Sequence, residues 1–237
     1  SSDLLPDRER VIAALEEEYG RTVDAVDRVA LTELPTQIRG EQADDEFRVT
    51  ATVHESELLA VDPGRTGPAY GLAIDIGTTT LAIYLLDLRT GEVAAVSSDV
   101  NPQRTHGGDI VSRVQYATQE EGGKAELQSL IVDGIEENVA AVTAEAGIEP
   151  AEIYEAIFVG NTAMHHLFLG IDAGPVAASP YVPATRARVE TTARDLGLKM
   201  NPAGKVSWLP IIGGWVGPDF VADLLVAADW LRDAIGG

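Results

Sequence analysis

The chain contains no cysteine, and that absence removes whole classes of chemistry. Within these 237 residues it rules out a disulfide framework, a thiol nucleophile and any thiolate-held zinc or iron–sulfur centre. Lysine is scarce: Lys124, Lys199 and Lys205 stand beside fourteen arginines. Cations of both kinds are outnumbered, 17 against 38 carboxylates, giving a formal net charge of −21. Such a chain repels phosphate backbones, so no nucleic-acid partner is expected. No apolar run approaches the roughly 18 residues of a membrane-crossing helix, so no membrane contact is expected and a cytoplasmic location is. There are no internal repeats and no low-complexity tracts. The opening Ser1-Ser2-Asp3 is neither a signal peptide nor an initiator methionine, so a piece of a longer chain is expected.

What is present is enough for a sizeable core, at 45% hydrophobic residues. A charge of −21 destabilises a compact state in dilute buffer through self-repulsion. In molar salt the screening length falls to about 3 Å and most of that cost disappears. The acidic, lysine-poor composition is therefore of a halophilic type, suited to a salt-rich cytoplasm.

The pattern predicts two domains. Residues 1–66 read as a small α+β domain. Asp7 to Tyr19 carries Val11, Ile12, Leu15 and Tyr19 at helical spacing, with Gly20 as its stop. After Val29 to Pro35, the segment Phe47 to Val53 alternates like a half-buried strand, and Glu41 to Glu46 reads as an acidic turn before it. Asp62 to Pro68 is dense in turn formers and reads as the boundary.

Residues 67–237 read as a second domain. Tyr70 to Ile76, Leu81 to Asp87 and Glu92 to Ser98 are three short strands joined by tight turns, an antiparallel meander. Helices follow over Asp109 to Gln119 and Ala125 to Ala146, the latter ending at Gly147. Then come a strand at Ile153 to Val159, a helix at Asn161 to Leu169, and an irregular stretch from Gly170 to Gly204. A fifth strand over Val206 to Ile212 and a helix from Asp219 to about Leu231 close the pattern. The order βββ-αα-β-α-β-α predicts an α/β fold with a mixed five-stranded sheet and helices on its faces, the order of a ribonuclease-H-like, actin-type half.

Four segments could carry chemistry. In Ala73-Ile-Asp75-Ile-Gly77-Thr78-Thr79-Thr80, an acid at the tip of an apolar strand opens onto a glycine and three hydroxyls. Gly77 permits close backbone approach, successive N–H groups can cradle a phosphate, and Asp75 can hold magnesium through water. No lysine follows the glycine, so this is not a Walker loop; the plain alternative is an ordinary hairpin. In Gly214-Trp-Val-Gly-Pro218-Asp219, Asp219 either stabilises a helix start or faces a γ-phosphate to orient water or an acceptor hydroxyl. Asn101-Pro-Gln103-Arg104-Thr-His106-Gly-Gly-Asp109 reads either as a functional loop held by the sheet or as a polar loop whose Gln103, Arg104 and His106 are solvated, with Asp109 as a helix cap. In Val159-Gly-Asn161-Thr162, Asn161 or Thr162 suits a helix cap, and the same turn can lie beside the phosphate loop. His165 and His166 are adjacent and point about 100° apart, a poor metal pair.

These motifs in combination, Gly71 to Thr80, Asn101-Pro-Gln103, Gly108-Asp-Ile-Val-Ser-Arg113, Val159 to Thr162 and Trp215 to Asp219, resemble the reductive activators of corrinoid proteins. The wider group is the ATPases with an acetate-kinase, sugar-kinase, heat-shock-protein and actin fold. The resemblance covers nearly the whole chain, with residues 1–66 matching a middle domain more loosely and residues 67–237 the first half of the actin-like domain. It implies ATP-driven one-electron reduction of a cobalt(II) corrinoid on a partner protein. It further implies phosphate contacts from Asp75, Gly77, Thr78, Thr79 and Thr80, and catalytic roles for Asp75 and Asp219. Asn161 matches a motif turn. A homodimer through the small domain is also consistent with it.

The departures limit what this chain does alone. With no cysteine, the [2Fe–2S] domain of such proteins is expected elsewhere in the parent, as are the second phosphate motif and the adenosine-binding glycines. One jaw of a two-jawed site is expected to bind Mg-ATP weakly or not at all. Two other readings stand beside this one: a small-molecule kinase of the same fold, and a non-catalytic docking or dimerisation module.

Overall fold

The computed structural model describes residues 4–39, 48–64, 67–213 and 217. Helix α1 (Asp7–Tyr19) has the predicted span and stops where Gly20 adopts the left-handed conformation, φ 62° and ψ 25°, returning its N–H to the Glu16 carbonyl. A short strand β1 (Ala25–Val26) leads into helix α2 (Arg28–Arg39), which contains Val29 to Pro35 and buries Ala30, Leu34 and Ile38 at four-residue spacing. Strands β2 (Val49–His54) and β3 (Glu57–Pro63) form an antiparallel hairpin, and β1 joins β3 in parallel, giving the order β1-β3-β2. A small core of Val11, Val23, Leu34, Ile38, Leu58 and Val61 seals these elements. The strand β3 runs into the stretch read as a boundary, where Asp62 and Pro63 pair with Thr50 and Val49. The acidic turn expected at Glu41 to Glu46 lies outside the described residues.

The second sheet begins with the predicted meander: β4 (Tyr70–Ile76), β5 (Thr80–Asp87) and β6 (Val93–Val100), all antiparallel. A 3₁₀ turn (Pro102–His106) follows, then α3 (Ile110–Gln119) and the 24-residue α4 (Gly123–Ala146), capped by Gly147 in the left-handed region. The sequence then runs through β7 (Ile153–Gly160), α5 (Thr162–Phe168), α6 (Gly174–Ala177), β8 (Val189–Thr192), α7 (Ala193–Leu196) and β9 (Lys205–Trp208). The sheet order is β6-β5-β4-β7-β9-β8, with β4, β7 and β9 parallel and the rest antiparallel to their neighbours.

The sheet therefore has six strands, not five. The extra strand, β8, lies in the segment read as irregular; four residues, Val-Glu-Thr-Thr, are too short to show alternation, and pairing with β9 alone makes them a strand. The main core lies on one face. Ile74 and Ile76 of β4, Leu81, Ile83 and Leu85 of β5 and Phe158 of β7 pack with Leu127, Ile131 and Ile135 of α4. The helix expected from Asp219 lies outside the described residues. Among the described residues, no helix is long and apolar enough to cross a membrane.

The two sheets meet through charge. Arg194 of α7 forks onto Asp27, both contacts at 2.9 Å, and Lys205 of β9 reaches Glu57 of β3 at 2.6 Å. His54 lies 3.7 Å from Glu155, and Asp62 hydrogen-bonds Tyr154. Lys205, Glu155 and Tyr154 stand at the beginnings of β9 and β7.

Candidate functional site

The ends of β4, β7 and β9 lie together at the other edge, because the three strands are parallel and neighbouring. Crevices outside the carboxyl ends of such strands are where ligands of α/β sheets collect. Here the turn after β4 (77–79), the Gly160–Asn161 turn after β7 and the segment after β9 come together. Gly77 is required by close approach: a Cβ there would lie 2.8 Å from the Thr80 carbonyl. One at Gly160 would lie 2.7 Å from the Ile76 carbonyl, and one at Gly217 would run into the Gly160 carbonyl and the Asn161 Cα. The Thr162 hydroxyl donates to the Gly213 carbonyl at 2.8 Å, tying the segment after β9 to the same place.

The turn at 77–79 is held from its inner side by its carbonyls. Asn101 Nδ2 donates to the Gly77 carbonyl at 2.7 Å, and the Asn101 backbone N–H donates to the Thr79 carbonyl at 2.8 Å. Between them, Arg113 Nη2 donates to the Thr78 carbonyl. In a trans peptide the N–H points opposite to the C=O. The Thr78 and Thr79 N–H groups therefore face away from Asn101 and Arg113, and neither donates to another described residue. Thr79 and Thr80 are exposed. Successive N–H groups facing outward from a turn can receive an anion.

Each other sequence-predicted residue has a definite place. Asp75 is exposed on the sheet face opposite Ile74 and Ile76, two residues before the turn. Asn161 does two jobs: its Oδ1 accepts from the Ala163 and Met164 N–H groups, both at 3.1 Å, capping α5, while its Nδ2 donates to Thr78 Oγ1 at 3.1 Å. The cap reading and the phosphate-loop reading are thus the same residue seen from two sides. Asp219 lies outside the described residues.

The loop after β6 divides. Gln103, read as solvated, is buried; its Nε2 donates to the Leu127 carbonyl at 2.9 Å and its Oε1 faces Arg113. The loop folds under the turn because α4 comes close: Gly134 leaves room for the Pro102 ring, 2.9 Å from where a Cβ would stand. Arg104 is exposed, and His106 stacks on Tyr116 with ring centres 4.2 Å apart. Asp109 is the cap of α3, accepting from the Ser112 N–H at 2.8 Å; that hydrogen bond holds its carboxyl below the ordinary range.

Two residues carry weight that sequence reasoning did not assign. Asn101 was only part of a motif, yet it is wholly buried and makes two of the three carbonyl tethers. Arg113 is also wholly buried. Besides Thr78, its Nε donates to the Gly107 carbonyl at 2.9 Å, and its Nη1 lies 3.4 Å from Gln103 Oε1 and 3.5 Å from Met164 Sδ. Among the described residues no carboxylate pairs with it at ion-pair distance. Burial, and then Arg104, push its pKa down to about 10, so it stays cationic at neutral pH. A signal was present: Ile110, Arg113, Val114 and Ala117 share the i, i+3, i+4, i+7 stripe that faces the core.

His165 and His166 are fully buried in α5. His166 Nε2 accepts from the Ala184 N–H at 3.0 Å, so its Nδ1 carries the proton and donates to the Thr162 carbonyl at 2.7 Å. His165 packs edge-on against Trp208. Among the described residues, no cluster of three or more histidines and carboxylates is placed to hold a metal ion. A lone carboxylate beside an anion cradle does fit magnesium, which is often held by one carboxylate, waters and the phosphates themselves. Nothing in the donor set fits an iron–sulfur centre, since the chain has no thiolate.

With this geometry in hand, the chain can be set beside known proteins. Residues 70–228 match the family model described as the RACo middle region. The corrinoid activation enzyme RamQ of Eubacterium limosum is 34% identical over 158 residues, 67% of this chain and 27% of RamQ. A solved structure described as a reductive activator for a corrinoid, iron–sulfur protein superposes with a TM-score of 0.80 at 31% identity, over 92% of this chain and 35% of its own. An archaeal actin homologue matches more distantly, at a TM-score of 0.32 and 15% identity over 72% of this chain and 68% of its own. The chain thus spans about a quarter of the curated relative and about a third of the solved one.

Proposed function

This chain belongs to the RACo middle region family, and on that premise we propose that it supplies one jaw of the ATP site in a protein that reductively reactivates corrinoid proteins. The observation that carries the reading is the turn at 77–79, whose carbonyls are held inward so that the Thr78 and Thr79 N–H groups are offered to an anion. In this reading those N–H groups and the Thr78 hydroxyl, held by Asn161, bind phosphate oxygens. Asp75 holds magnesium through water, and Asp219 orients the attacking water. Bound Mg-ATP supplies the free energy that makes reduction of a cobalt(II) corrinoid favourable. The electron comes from outside this chain, which has no cysteine to bind a cluster. The relatives' names support the corrinoid partner.

The test is ATP hydrolysis in molar KCl by the longest natural protein carrying this sequence, wild type beside Asp75→Ala, with and without a cobalt(II) corrinoid protein. The expected result is hydrolysis that rises with the corrinoid protein and falls by roughly 100-fold in the variant, the scale of losing a metal's charge stabilisation. ADP release that depends instead on a sugar or carboxylate acceptor would replace this reading with the kinase.

A further inference from the structure

We propose that Arg113 is a positioning residue of the phosphate turn, acting through the Thr78 carbonyl to present the Thr79 N–H to a phosphate oxygen. The proposal rests on the phosphate-binding reading above. The peptide between Thr78 and Thr79 lies in a turn, where a peptide flip would exchange the directions of its carbonyl and its N–H. With the carbonyl inward, its N–H meets an arriving anion; with the carbonyl outward, its oxygen repels one. The only described donor to that carbonyl is Arg113 Nη2. The guanidinium is itself fixed, because Nε is on the Gly107 carbonyl and Nη1 lies between Gln103 and Met164. A planar fork can satisfy these directions at once, and an ammonium cannot.

The surroundings argue for a ligand rather than for mere packing. A buried guanidinium without a carboxylate partner is costly, and an apolar side chain of similar volume would pack the same space at less cost. The charge stands beneath the turn at 77–79, whose Thr78 carbonyl it holds. Asp109 is the described carboxylate that acts on this guanidinium, and it does so from beyond ion-pair distance; a phosphate at the turn would add negative charge nearby. The same arginine also ties the turn to the 3₁₀ loop through Gly107 and Gln103, so the cradle and that loop hold their shape together.

The experiment is a titration of the longest natural protein carrying this sequence with magnesium tripolyphosphate in molar KCl, followed by backbone amide and arginine side-chain resonances. In the wild type, the Thr78 and Thr79 amides and the Arg113 guanidinium signals shift together. Arg113→Gln, if its amide dispersion stays native, binds at least tenfold more weakly and loses the Thr79 shift. Arg113→Lys recovers part of the affinity through its charge but not the Thr79 shift. A folded Arg113→Gln with wild-type affinity overturns the proposal and leaves the phosphate reading standing. A wild type whose 78–79 amides do not move overturns both. If Arg113→Gln does not fold, the wild-type guanidinium signals decide: movement with the turn amides supports the proposal, and guanidinium signals that stay still while the amides shift sink it.

Discussion

The two ends of the six-stranded sheet are held by different physics. Where β7 and β9 begin, the sheet is fastened to the smaller one by opposite charges: Asp27 with Arg194, Glu57 with Lys205. Where β4, β7 and β9 finish, the fastening is made of backbone carbonyls, amide side chains and one arginine without a carboxylate among the described residues. Charge pairs near a surface weaken as salt rises; short hydrogen bonds to buried carbonyls do so far less. In a chain of net charge −21 the division has a use. The turn at 77–79 carries its positive character in N–H groups and in the buried Arg113 guanidinium, and mobile ions screen the latter poorly.

The sharpest way to separate the ends is pH. Burial, and then His166, push His165 down to about 4. As pH falls below about 6.5, the unfolded ring takes up a proton that the folded ring refuses, so stability drops from pH 6.5 to about 4 and is constant above 6.5. The gap corresponds to about 3 kcal/mol. At the opposite end, burial raises the Asp27 pKa, but the Arg194 hydrogen bonds and charge and the Val29 N–H outweigh it and leave it lowered. Its contribution is present above the usual carboxylate value and is lost only as pH falls below that. Urea melts across this range should show two separate losses, and His165→Gln should shrink the upper one to the share of His166, which burial also holds low. An upper loss of the same size in the variant would refute the assignment.

A smaller effect is expected from Asn101→Ala, which strands the Gly77 carbonyl and the Gln103 N–H that its side chain satisfies. About 2 kcal/mol of stability should disappear, and molar KCl should not restore it. A loss that salt does restore would contradict the division between the ends. The smallest belongs to Asp27→Asn, about 1 kcal/mol, seen as faster amide exchange in β1 and β3 with the turn at 77–79 unchanged. Faster exchange at Thr78 or Thr79 would mean that the two ends are coupled.

Much of this was legible before any coordinates. The meander, the stop at Gly147 and the strand at Ile153 follow from local patterns, because alternation and a left-handed glycine are written within a few residues. The turn residues Gly77 to Thr80 announce themselves for the same reason. The strand β3 was missed because Leu58 to Val61 is buried on both faces and does not alternate. The role of Arg113 was missed because the carbonyl it holds is 35 residues away, and nothing local marks a donor–acceptor pair across that distance. An arginine on an apolar helical stripe is the local trace of that role.

Strand β4 joins the two ends. Tyr70 opposes Ile153 at one end and Ile76 opposes Gly160 at the other, with β5 bonded along its second flank throughout. Such a strand cannot creep along its axis, for a shift of one residue would exchange the Ile74 and Ile76 side of the sheet with the Asp75 side. Movement imposed on the smaller sheet can therefore reach the turn only as a tilt of the whole strand array, a rudder rather than a piston. The angle at which Asp75 and the Thr78 and Thr79 amides are presented is then set by that tilt, while the distances among them stay constant.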